Sequence, residues 1–133
     1  MKTRQINLKI ERDLVVDNME QINGDAIKQL ILSNKNDLIE NTFCYELFEN
    51  GFFIEKKILL LIEQVKYINR KNIMDNDIKN VLIWIVNGVD QCFLSHHDVD
   101  DLYFIQNYKT EYEIKWNTQW KKEICLQIAG GCK

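Results

Sequence analysis

The spacing of hydrophobic positions changes along the chain, and each change predicts an element. Over residues 4–11, Ile6, Leu8 and Ile10 alternate with Arg4, Asn7, Lys9 and Glu11. That two-residue period predicts a short half-buried strand. From Leu14 the spacing becomes helical: Val15, Met19, Ile22 and Ala26 recur at three to four residues, and Ile27, Leu30 and Ile31 continue the stripe. Gly24 interrupts it, so the expectation is a helix over about 24–34 with a weaker one before it. In "NDLIENTFCYELFENG", Asn36 or Asp37 is placed to cap a helix whose apolar side is Ile39, Phe43, Leu47 and Phe48. Asn50-Gly51 supplies a left-handed stop.

The next two segments are the most regular. Ile54, Ile58, Leu61, Ile62, Val65 and Ile68 predict a helix over about 52–70, with Leu59 and Leu60 adding apolar surface outside the stripe. Asp75 or Asn76 then caps a helix carrying Ile78, Val81, Leu82, Ile85, Val86, Val89 and Phe93 on one face, with Trp84 off that face. Short connections predict antiparallel packing of neighbouring helices. Beyond Asp98 two readings stand. Ser95 and Asp98 form a capping box for a helix through Leu102 and Ile105, or residues 102–107 pair with Tyr112, Ile114 and Trp116 as a hairpin. Thr118 is placed to cap a last helix with Trp120, Ile124, Cys125 and Ile128, ended by Gly130-Gly131. The expected fold is mainly α: one antiparallel helical domain over residues 1–133, with the N-terminal strand and the hairpin near 102–116 as its only β additions.

Composition narrows the function. A chain of 133 residues, 46% hydrophobic and 28% charged, has the balance of a globular domain. Apolar runs such as Ile58–Ile62 are far too short to span a bilayer, and no apolar block follows the basic N-terminus, so a cytoplasmic location is expected. Cys44, Cys92, Cys125 and Cys132 form no CxxC pair and are expected to be free thiols. A net charge of −3 disfavours nucleic acid as partner. Heavy use of isoleucine, asparagine and lysine, with no proline, is wording typical of AT-rich bacterial or phage genes.

The segment "CFLSHHDVDDLYF", residues 92–104, is where chemistry would be sought. His96 and His97 are adjacent, so their side chains diverge in either a helix or a strand. His97 with Asp101 supplies two ligands and no third, and neither HExxH nor paired CxxC occurs. Cys92 lies four residues before His96, as a nucleophile and base would, but also beside the buried stripe, as a core thiol would. Phosphate-binding glycine loops, a GxSxG elbow and a dinucleotide fingerprint are all missing. No catalytic residue, metal ligand or cofactor is therefore expected.

Charge is more informative. Between Val89 and Glu113 six acids face one base, Lys109, and between Asn36 and Glu55 five acids face none. Aromatic residues punctuate the first of these stretches. Asp90, Asp98, Asp100, Asp101, Glu111 and Glu113, with Tyr103, Tyr108 and Tyr112, are the expected binding residues. Rings supply desolvated anchors while carboxylates steer a basic partner. A small acidic chain of this character, without catalytic motifs, resembles the immunity proteins of contact-dependent growth inhibition and related polymorphic toxin systems. The resemblance spans the whole chain and implies tight binding of a cognate toxin domain, often a basic nuclease, with its active site covered. The rival expectations are a non-inhibitory adaptor or chaperone-like protein and a small metal-dependent hydrolase built on His96 and His97.

Overall fold

A computed structural model describes residues 23–128, and among them the fold is mainly α, with no strand. The alternating segment 4–11, the weak helix before Gly24 and the Gly130-Gly131 stop lie outside the described residues. Helix α1 (Gly24–Leu32) starts where the Asn23 side chain accepts the Ala26 N–H at 2.9 Å, and a 3₁₀ turn at Ser33–Lys35 extends it. A π-helical turn follows at Tyr45–Glu49. The two long helices are α2 (Glu55–Arg70) and α3 (Asn76–His97). Asp75 caps α3 by accepting the Ile78 N–H at 2.9 Å, and also meets Lys28 of α1 at 2.9 Å. These two hydrogen bonds, that from Ile78 foremost, hold the Asp75 carboxyl below its ordinary value. The chain ends in one helical rod of three stretches: α4 (Thr110–Lys115), a π turn (Trp116–Trp120) and α5 (Lys121–Leu126).

The packing is a four-membered arrangement. Helix α1 lies against both α2 and α3, and the C-terminal rod does the same, whereas α2 and α3 make few close backbone approaches to each other. The two long helices are therefore diagonal rather than neighbours, although the chain joins them directly. Their apolar stripes meet across a core in which Ile58, Val65, Ile68, Ile78, Leu82, Ile85 and Val89 are fully buried. Every expected stripe residue of α3 is buried.

Four expectations are corrected. Residues 36–42 are turns, with Asn36 accepting the Leu38 N–H, so helical structure waits for Thr42, whose hydroxyl accepts the Tyr45 N–H at 3.0 Å. Neither reading of 98–116 holds: α3 runs to His97, residues 98–109 are irregular, and 110–115 are helical. The hairpin near 102–116 does not form because the stretch finds another partner. Gly51 O accepts the Gln106 N–H at 2.7 Å, and the Asn107 amide meets both the N–H and the C=O of Phe53 at 2.8 Å. Thr118 caps nothing; it lies inside the rod and donates to Ile114 O at 2.7 Å. Cys44 and Cys92 are free and buried, but Cys125 is disulfide-bonded.

Three substitutions test this packing by urea denaturation. Leu61→Ala or Ile85→Ala should each cost about 2–5 kcal/mol, the range for truncating a buried aliphatic side chain. Gly51 has φ +74°, and a Cβ there would sit 2.8 Å from Phe104 O. Gly51→Ala should therefore cost more than about 1 kcal/mol, from backbone strain and displacement of the paired segment.

Candidate functional site

The irregular segment after α3 is a loop pinned at many points yet exposed at its tip. Its attachment begins at the helix end. His96 Nδ1 accepts the Ile105 N–H at 3.0 Å, so that nitrogen carries a lone pair and the ring proton resides on Nε2. The His96 ring stacks on Tyr108 at 4.2 Å between centroids. Glu113, on α4, accepts from the Tyr108 hydroxyl at 2.5 Å and pairs with His97 Nε2 at 2.8 Å. Tyr103 donates its hydroxyl to Leu47 O at 2.5 Å, tying the loop to the π turn.

These contacts shift the groups involved. Burial lowers His96, and the neighbouring His97 lowers it further against the pull of Glu113. Burial pushes the Glu113 carboxyl up, but hydrogen bonds from His97 and Tyr108 outweigh it and leave the carboxyl below its ordinary value. The Cys92 thiol is buried, and desolvation pushes it up to about 11, partly offset by the Tyr103 hydroxyl beside it. A thiol so placed stays protonated at neutral pH and lacks the character of an activated nucleophile. Among the described residues no three His, Cys, Asp or Glu side chains come together as metal ligands would.

The nine expected binding residues divide accordingly. Asp98, Asp100, Asp101 and Glu111 are exposed. Asp98 accepts the Asp100 N–H and Asp101 the Tyr103 N–H, both at 2.9 Å, which shapes the loop without withdrawing the charges from solvent. The other five serve the fold. Asp90 binds Trp116 Nε1 and Lys121 Nζ at 2.8 Å each, joining α3 to the rod. Tyr112 stacks on Phe53 at 4.9 Å. Tyr103, Tyr108 and Glu113 are consumed in anchoring the loop.

Exposed apolar side chains replace the expected rings. Val99 is 96% exposed, Leu102 97%, Leu94 66% and Phe104 56%. Alternating with three aspartates, Val99 and Leu102 form an acidic tip with apolar anchors. The spacing does not single them out as anchors; the signal it carries is that neither continues the stripe of α3. The chain matches no family model, no curated protein and no solved structure. No helix among the described residues is long and apolar enough to cross a membrane.

The His96 and Glu113 contacts that hold the loop predict a pH dependence with a definite sign. His96 is lowered on folding, so its neutral form is the one the fold favours. Stability is then full above the ordinary histidine value of 6.5 and falls as pH drops below it. Glu113 is also lowered; its contribution is present above the ordinary 4.5 and is lost as pH falls through its folded value. Exchange protection of the Ile105 amide, corrected for intrinsic rate, should fall between pH 7.5 and 5.5. His96→Gln should remove most of that dependence.

Proposed function

We propose that this chain is an immunity protein, binding a basic toxin domain through the loop at residues 98–104 and neutralising it by covering its active site. One observation carries the reading: Val99 and Leu102 stand almost wholly in solvent between Asp98, Asp100 and Asp101. Exposed apolar side chains gain by desolvation against a partner, and flanking carboxylates raise the rate of encounter with a cationic surface. The loop is held at Ile105, Tyr103, Gln106 and Asn107, so binding it costs little ordering entropy. In this reading the carboxylates occupy the place where the toxin would meet phosphate, and the chain itself makes and breaks no bonds.

The test is growth of cells producing this chain together with the C-terminal domain of an exported protein encoded immediately upstream. Protection supports the reading. Association without protection would make the chain a non-inhibitory adaptor, and the lack of any such neighbour would remove the toxin.

Substitutions in the loop separate steering from anchoring. Replacing Asp98, Asp100 and Asp101 together with Asn keeps the turn hydrogen bonds and removes the charge. Association measured by stopped flow should slow about tenfold or more at low salt and lose most of its salt dependence, with the unfolding midpoint unchanged. Val99→Ser with Leu102→Ser should instead speed dissociation, about tenfold or more.

A further inference from the structure

Trp84 projects from α3 outside the buried stripe, and the structure gives it a setting unlike that of the other two tryptophans. Trp116 and Trp120 are buried in the core. Trp84 is half-buried and walls a cleft of about 240 Å³, with Phe48 and Tyr45 of the π turn, Lys35 and Asp37 after α1, and Glu49. The Phe48 and Trp84 rings meet edge to face, with centroids 5.4 Å apart and planes at 75°. Phe48 reaches that position because residue 88 is glycine: a Cβ there would lie 2.6 Å from Phe48 Cζ. The cleft falls below the roughly 300–1,000 Å³ of small-molecule and cofactor sites. It is sized for one long side chain.

Its chemistry selects a cation. The Lys35 ammonium already lies 5.6 Å from the centroid of the Trp84 ring, so the aromatic face attracts positive charge from within the chain. Asp37 and Glu49, on the lining, are exposed and make no ion pair among the described residues, with Lys35 or any other cation. Two uncompensated carboxylates beside three rings suit a planar, weakly hydrated cation that stacks on an aromatic face and forks towards carboxylates. We propose that this cleft binds an arginine side chain presented by a peptide or protein, displacing Lys35 from Trp84.

The proposal stands apart from the toxin reading, although the two features share one side of α3. Trp84, Gly88 and Ser95 follow one another along that helix, and Ser95 lies beside Asp101 of the loop. Residues 84 and 95 lie about 16 Å apart along a helix rising 1.5 Å per residue, so one extended basic segment could engage both.

The test uses the isolated chain, labelled with ¹⁵N and titrated at constant ionic strength with N-acetyl-arginine methylamide, its lysine counterpart and its neutral citrulline counterpart. Trp84→Leu assigns the Trp84 indole signal. The arginine probe should move that signal saturably, the lysine probe more weakly, and the citrulline probe not at all. Lys35→Gln should tighten arginine binding about two- to fivefold by removing the resident cation, and Glu49→Gln should weaken it. No saturable shift at Trp84, an equal response to citrulline, or equal binding of lysine would each overturn the proposal. Because no toxin is present, the outcome is independent of the growth test.

Discussion

Phe53 is the point on which the structure depends. It is 1% exposed and lies within 6 Å, centroid to centroid, of Phe43, Phe93, Tyr112 and Trp120. These rings come from the segment ahead of the first π turn, from α3, and from α4 and the π turn of the C-terminal rod. It lies outside any helix and is buried, so its N–H and C=O must find partners or cost free energy. The Asn107 amide satisfies both at 2.8 Å. One side chain thus does what a neighbouring strand would do in a sheet, and in doing so it fixes where the segment after α3 must run.

The consequences spread outward from that clamp. Once Asn107 is held, Gln106 reaches Gly51 and Asn50, Ile105 meets His96, and Tyr103 meets Leu47. Just beyond α3, Val99 and Leu102 are left almost wholly uncovered. The same contacts divide the acidic region into two populations. Asp90 and Glu113 are engaged by Trp116, Lys121, Tyr108 and His97, so their charge is largely spent inside the molecule. Asp98, Asp100 and Asp101 keep theirs in solvent. An acidic segment is therefore not a single electrostatic object: its usable field comes from the residues the fold did not need.

Helix α3 organises the recognition features on either side of the π turn. At Trp84 and Gly88 it receives Phe48, and near Cys92 and Ser95 it receives the loop. The π turn at Tyr45–Glu49 sits between them, lending rings to the cleft and the Leu47 carbonyl to Tyr103. Both acidic stretches of the chain, distant in sequence, thereby converge on one side. A cationic partner would meet apolar anchors at one end and an aromatic, carboxylate-lined cleft at the other.

Regular periodicity made most of the helical architecture legible. The stripes of α2 and α3, the Asp75 cap and the Gly51 turn follow from residue spacing and local sterics, because a long amphipathic helix has one way to hide its apolar face. Where order depends on partners distant in the chain, local pattern misled. Residues 102–107 form no strand; they meet Gly51–Phe53, a partner chosen by a side-chain amide and a buried ring rather than by alternation. Tyr103, Tyr108 and Tyr112 read as binding anchors, since nothing local tells a ring that packs inward from one that faces a partner. Sequence by itself determined the helices, the acidic balance and the oddity of Trp84. Tertiary structure alone decided which acids stay charged in water, which apolar side chains remain uncovered, and that Trp84 walls a cleft, because each depends on what another part of the chain already occupies.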